Sequence, residues 1–262
     1  MKSLVYTNAI GGTITFTTAP TSSQVFLESV TGLDIPNINI YQQKSPYQDG
    51  ATPIDQLLDI REVVMTGAII VPLDLSSIDT FKRTIISALN PKAGPGTLVY
   101  TNNNTSYTLR NVIPQGPLFA FKPVTEPFQK LQITFYCHDP YLYSTTATNV
   151  SISASQVISN AGDVMTPISI SITGACTNPT ISNTTSGYSI AYIGSLTALQ
   201  TLTINTSFGD KYVKIGTTNV IYNVSAASVF WGLLLGNNTV TFSTGSGTPT
   251  ATLTYYTRYL GA

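Results

Sequence analysis

The chain has 262 residues, 12 Lys and Arg balanced by 12 Asp and Glu, and only 9% charged residues. Zero net charge, with Lys82-Arg83 the only adjacent basic pair, excludes sequence-independent nucleic-acid binding, which draws on many Lys and Arg contacts to phosphate. No apolar run reaches bilayer length and Met1-Lys2-Ser3-Leu4-Val5-Tyr6 has no signal-like apolar stretch, so the expectation is a protein made in a cytoplasm with no membrane anchor.

Thr, Ser, Asn and Tyr take the place of the missing charges. Thr and Tyr suit strands, and Ser, Asn and Gly suit turns. An all-β chain with polar, uncharged surfaces follows, and such surfaces are cheap to dehydrate in stable subunit contacts. Strands are expected at Leu4–Ile10, Gly12–Thr17 and Gln24–Thr31, with Gly11-Gly12 as a hairpin turn. Ile38 to Gln43 alternates as a strand. Ser45 to Pro53 reads as an irregular loop, and Leu57 to Val71 as one long strand.

One helix is predicted, Ser76 to Leu89. Ser76 and Asp79 resemble a capping box, Ile78, Phe81, Ile85 and Leu89 form an apolar stripe, and Asn90-Pro91 ends it. Strands Thr97–Thr101 and Thr105–Val112 follow. Pro114 to Pro127 is expected as loop or edge. Gln129 to His138 closes this half: Leu131, Ile133, Phe135 and Cys137 alternate with polar or amphipathic residues until Asp139-Pro140 stops the strand.

After Tyr143 the chain turns Ser/Thr/Asn-rich, which places a boundary between domains 1–143 and 144–262. The second half offers strands near Ala147–Ser153, Thr166–Thr173, Pro179–Asn183, Tyr188–Ile193, Thr201–Asn205, Lys211–Ile215, Thr218–Tyr222, Thr239–Ser243 and Thr250–Tyr256. Turn signals such as Asn160-Ala161-Gly162-Asp163 and Gly236-Asn237-Asn238 separate them at the spacing of a β-sandwich. No helix is expected there. Cys137 and Cys176 are read as buried free thiols.

Catalytic chemistry has few candidates. His138 and Asp139 are adjacent, and neighbours in a strand point to opposite faces, so a structural turn is expected in place of a dyad. Asp55, Asp59 and Glu62 read as a solvated acidic face and not as a glycosidase pair. Two distant cysteines and one histidine do not make a metal site, and no cofactor motif is present. Trp231, the only tryptophan, is the candidate glycan contact, although Phe230-Trp231-Gly232-Leu233-Leu234-Leu235 reads more readily as core.

In its order of features the chain resembles the distal tail protein of siphophages. The residues are the helix Ser76–Leu89 with Pro91-Lys92-Ala93-Gly94, the strand Leu98–Tyr100, and Phe135 to Tyr141 with its His138-Asp139-Pro140-Tyr141 turn. In the second half they are Asn160 to Asp163, Pro167 to Gly174, Asn178-Pro179 and Leu235 to Val240. The resemblance implies an N-terminal β-sandwich or barrel-like domain with one helix and a C-terminal galectin-like β-sandwich. It implies a non-enzymatic hexameric ring in the virion tail, joining the tail tube to tail-tip or receptor-binding proteins and passing DNA through its lumen. The Ser45–Pro53 loop is short beside the long hairpin with which the family braces neighbouring subunits. The alternative from another class is a lectin-like tail or surface protein that attaches to host carbohydrate.

Overall fold

A computed structural model describes residues 1–20, 25–70, 75–119 and 128–262; side chains at 70, 75–78, 118 and 128 also lie outside the description. The chain forms two compact units, Met1–Thr145 with Leu260–Ala262, and Thr146–Tyr259.

The first unit is built from β1 (Lys2–Thr7), β2 (Thr13–Thr17), β3 (Val25–Thr31), β4 (Ile38–Gln43), β5 (Thr52–Leu58), β6 (Arg61–Ile70), α1 (Leu75–Ala88), β7 (Gly96–Asn102), β8 (Thr105–Phe119), β9 (Phe128–Cys137) and β10 (Leu142–Ser144). Its main sheet runs β10-β8-β7-β1-β2-β3-β6-β9, and the far half of β8 pairs with β9, so the sheet closes on itself as a barrel. Among the described strand pairs of this sheet, β2 and β3 alone run parallel. Closure removes the edges that an open sheet would offer to other chains. Inward residues alternate with outward ones: Leu4 and Tyr6 on β1, Val63 and Met65 on β6, Leu131, Ile133, Phe135 and Cys137 on β9 are buried. The Phe135 ring lies 5.4 Å from Tyr6 and 6.4 Å from Phe16.

The helix buries Ile85 and the following Leu89. Asn8 ties it to the first hairpin. Its Oδ1 accepts from Ile10 and Gly12 backbone N–H, and its Nδ2 donates to Ala88 O at 3.0 Å. That bond satisfies a helix-end carbonyl, and the turn stops β1 at Thr7 where alternation alone carries it to Ile10. The expected Ser76 cap lies outside the described side chains.

Of the loop or edge expected over Pro114–Pro127, Pro114 to Phe119 is edge strand: it continues β8 with β9 as its ladder partner, and a register shift between Gln115 and Leu118 accommodates Pro117; residues 120–127 lie outside the description. Two other expectations are corrected. The single strand expected over Leu57–Val71 is two strands. Asp59 breaks it: its N–H donates to Asn37 O and its Oδ1 accepts from Ile60 N–H. Finally, β4 and β5 pair as a separate hairpin with a short turn at Ser45–Gln48.

The second unit comprises β11 (Thr148–Ile152), β12 (Ser155–Asn160), β13 (Thr166–Thr173), β14 (Cys176–Thr177), β15 (Thr180–Asn183), β16 (Tyr188–Ala191), β17 (Ser195–Leu196), β18 (Thr201–Asn205), β19 (Tyr212–Ile215), β20 (Thr218–Asn219), β21 (Gly232–Leu233), β22 (Gly236–Ser243), β23 (Ser246–Gly247) and β24 (Thr250–Tyr255). One sheet runs β11-β24-β13-β18-β19-β20, with β21 on β13, and another runs β12-β22-β15-β16. Ile170, Ile172, Leu202, Ile204 and Leu253 from the first join Ile158, Ile181, Ile190, Val240 and Phe242 from the second in one core, which makes the unit a β-sandwich. Ser155–Asn160 is a strand that composition does not signal. Ile221–Asn223 is a 3₁₀ turn where a strand was expected.

Candidate functional site

The turn after β9 sits on a buried arginine. Arg61 is 1% exposed. Its Nε donates to Pro140 O at 2.8 Å, Nη1 to Gly32 O at 2.9 Å and to Asp34 O, and Nη2 to Leu260 O at 2.7 Å. Among the described residues no carboxylate caps it; four backbone carbonyls do. A guanidinium presents donors in a fixed fork, so one side chain holds three separate pieces of chain together: residues 32–34, Pro140 and Leu260. Ala262 N–H adds a bond to Leu33 O at 3.1 Å. Burial pulls the guanidinium below its ordinary value, opposed by the Cys137 thiol and by Asp34.

Around this hub, His138 and Asp139 are committed to different bonds. His138 N–H donates to Asn111 O at 3.2 Å, and its ring Nδ1 lies 3.3 Å from the same carbonyl. Asp139 Oδ1 accepts from Tyr141 N–H at 3.3 Å and its Oδ2 from Tyr143 OH at 2.6 Å. The Arg110 guanidinium lies 4.2 Å from the Tyr143 ring centroid. No hydrogen bond joins His138 to Asp139. The turn therefore works as an anchor for β10: Pro140 gives its carbonyl to Arg61, and Asp139 closes an Asx turn onto Tyr141.

Cys137, fully buried beside this hub, has its thiol pushed up to about 12 by burial, against the pull of Arg61 and with a smaller push from Asp139. The native state thus keeps a proton that the unfolded chain, ionising near 9.0, gives up. The resulting stability is full below pH 9 and falls as pH rises toward 12, by about 1.4 kcal/mol per pH unit. Urea unfolding followed by circular dichroism should lose about 1.4 kcal/mol between pH 8 and pH 10 through this group, and Cys137→Val should remove that share of the slope. Identical slopes for the two proteins would refute the assignment.

The hairpin of β4 and β5 is the exposed feature of this unit. Every residue of its two strands except Leu58 is exposed. Ile38 pairs with Leu58 and Ile40 with Gln56 on one face; Tyr41 and Leu57 occupy the other. Ile40 is 62% and Ile54 66% exposed. A two-stranded hairpin is marginal in water without a covered face, so these apolar side chains call for a partner. Asp55 and Asp59, expected as a solvated face, lie here, and their Oδ1 atoms accept from the next residue's N–H.

In the second unit Trp231 is 4% exposed, and its Nε1–H is buried without an acceptor. The segment around it is held by three buried asparagines. Asn183 Nδ2 donates to Gly232 O, Asn160 Nδ2 to Leu233 O, and Asn238 both accepts from Leu234 N–H and donates to Leu234 O. Asn183 and Asn238 also bond each other at 3.0 Å. Composition gives no sign of this clamp, because Asn160 and Asn238 read as turn residues.

Two family comparisons decide the identity. A phage tail protein RIFT-related domain matches residues 11–137, and the C-terminal domain of the siphovirus-type tail component matches residues 161–259. The chain belongs to the siphophage distal tail proteins. The two matches fall within the two compact units, and the fold agrees along the whole chain. The crystal structure of the Dit (gp 19.1) protein of phage SPP1, described as a paradigm of the hub adsorption apparatus in phages infecting Gram-positive bacteria, superimposes with TM-score 0.74 at 12% identity, covering 98% of this chain and 99% of that one. A chain of the phage P2 baseplate in its activated conformation with calcium gives TM-score 0.57 at 10% identity, covering 100% and 99%. The same baseplate with strontium gives 0.55 at 10%, covering 98% of each. No curated protein sequence matches the chain. The protein is a structural component of the distal tail and resides in the virion tail.

Proposed function

We propose that this distal tail protein assembles as a closed hexameric ring that stacks on the last ring of the tail-tube protein and carries tail-tip or receptor-binding proteins, with DNA passing through the lumen. The observation that carries the reading is the exposed apolar hairpin of β4 and β5. Its Ile38, Ile40, Ile54 and Leu57 face water in the isolated chain, and a neighbouring copy is the partner that covers them in a ring. The barrel closes its main sheet, and the hairpin stands outside that sheet as a segment that can reach another subunit. In this reading the second unit is a galectin-like sandwich at the periphery of the ring, and assembly takes place in the host cytoplasm. The absence of a basic run suits a conduit that does not hold the passing polyanion. A non-enzymatic role is supported by His138 and Asp139, whose Nδ1 and carboxylate oxygens go to separate partners and not to each other.

The test is the mass of the purified full chain. Rings should appear by mass photometry and negative-stain microscopy. The double variant Ile38→Lys/Ile40→Lys should weaken assembly by about a hundredfold or more, as expected for charging a central apolar contact, with an unchanged circular dichroism spectrum. A strict monomer at high concentration, or rings indifferent to these substitutions, would overturn the hairpin-braced ring.

A further inference from the structure

The second unit holds a surface pocket of about 220 Å³ that plays no part in the ring reading and does not depend on it. Tyr188, Phe208, Phe230 and Trp231 line it, together with Lys211 and Arg258. Phe208, in the turn between β18 and β19, is 98% exposed, and Tyr188 is about half exposed. The fold gains little from holding these rings in water. The wall behind them is rigid, because the asparagine clamp grips Gly232, Leu233 and Leu234 one after another.

The chemistry of the lining is one-sided. No carboxylate or amide side chain is among the described lining residues. Two of the three lining hydroxyls are already engaged with backbone: Thr206 Oγ1 bonds Ile168 N–H and O, and Ser186 Oγ bonds Asn183 O and Tyr188 N–H, while the third belongs to the Tyr188 phenol. Lys211 lies 5.9 Å from the Phe230 ring centroid and has no ion-pair partner among the described residues. A neutral sugar leaves the charge of Lys211 unanswered. An apolar group carrying negative charge meets everything the pocket offers. The volume suits one side chain, since a cavity of about 150 Å³ already admits a benzene ring.

The geometry points to a docking site for a protein segment that presents an aromatic side chain beside a carboxylate. The aromatic ring enters among Tyr188, Phe208 and Phe230, and the carboxylate meets Lys211 at the rim.

Trp231 is the only tryptophan, so its emission, excited clear of the tyrosines, reports on the pocket in the full chain. Titration with acetyl-Phe-Glu-amide should give a saturable change. Acetyl-Phe-Lys-amide should bind about fivefold more weakly, the scale of one exposed ion pair. Phe208→Ala, which removes an exposed side chain, should weaken the acidic peptide about tenfold. Lys211→Ala should bring it down to the level of the basic one. No saturable response, equal affinity for both peptides, or a response to methyl glucoside in place of the acidic peptide would each overturn the proposal. The ring measurement stands apart from all of these outcomes.

Discussion

Arg61→Ala is expected to destabilise the first unit by about 4 kcal/mol. The substitution strips the donors from the carbonyls of Gly32, Asp34, Pro140 and Leu260. A buried acceptor left without a donor costs about 1–3 kcal/mol, and water entering the vacated space recovers part of the sum. Arg61→Lys should cost about half as much, because a single ammonium with three donors cannot span four carbonyls set around a planar fork. Denaturant unfolding measures the loss. Hydrogen exchange at the Ala262 amide, bonded to Leu33 O, shows whether the chain end comes free first. If Arg61→Ala stays within 1 kcal/mol of the parent while Ala262 remains protected, Arg61 is not the hub.

That hub illustrates where sequence reading stops. Alternation located β9 and its inward residues, since Leu131, Ile133, Phe135 and Cys137 are apolar and the intervening positions are polar or amphipathic. The same period placed β13 at its observed limits. Arg61 shares the inward face of β6 with Val63 and Met65, but a charged residue at a strand start reads as surface. Its burial is intelligible only once four carbonyls from distant segments converge on it, and no local pattern encodes that convergence. The hairpin was half legible. Ile38 to Gln43 is evident as a strand, whereas Thr52 and Pro53 read as loop and Leu57-Leu58 as the start of β6, because apolar alternation runs on through Leu58 and Ile60. The break depends on Asp59 bonding to Asn37 across the hairpin base, a long-range contact.

The turn residues carry the resemblance in the sequence, and the bonds they make are visible only in the structure. His138 to Tyr141 is an anchoring turn, with Asp139 bonded to Tyr141 and Tyr143 and Pro140 bonded to Arg61. Asn160 and Asn238 were read as turn residues, and their loops do turn. Their side chains, however, point inward and are 2% and 0% exposed. Asparagine favours both turns and buried backbone bonding, for the same reason: its short amide imitates a peptide group. Sequence cannot separate the two uses.

Asn238 therefore offers the second large expected effect. Its Oδ1 accepts from Leu234 N–H at 2.9 Å and from Asn183 Nδ2 at 3.0 Å, and its Nδ2 donates to Leu234 O at 2.8 Å and Gly236 O at 3.0 Å. Asn238→Ala abandons all four in a fully buried site and should cost about 3 kcal/mol, with a red shift of Trp231 emission as its segment loosens. Asn238→Asp is nearly isosteric and more informative. It keeps an acceptor for Leu234 N–H but turns a second oxygen toward two carbonyls, where a carboxylate is repelled and an uncharged acid supplies one donor. At pH 7 the Asp variant should be no more stable than the Ala variant. It should recover relative to Ala as pH falls through the raised pKa of that carboxyl, because protonation restores a donor and removes a buried charge. An Asp variant as stable as the parent at pH 7 would mean that the donors at this site are dispensable and that the clamp on Leu234 is not made by the amide.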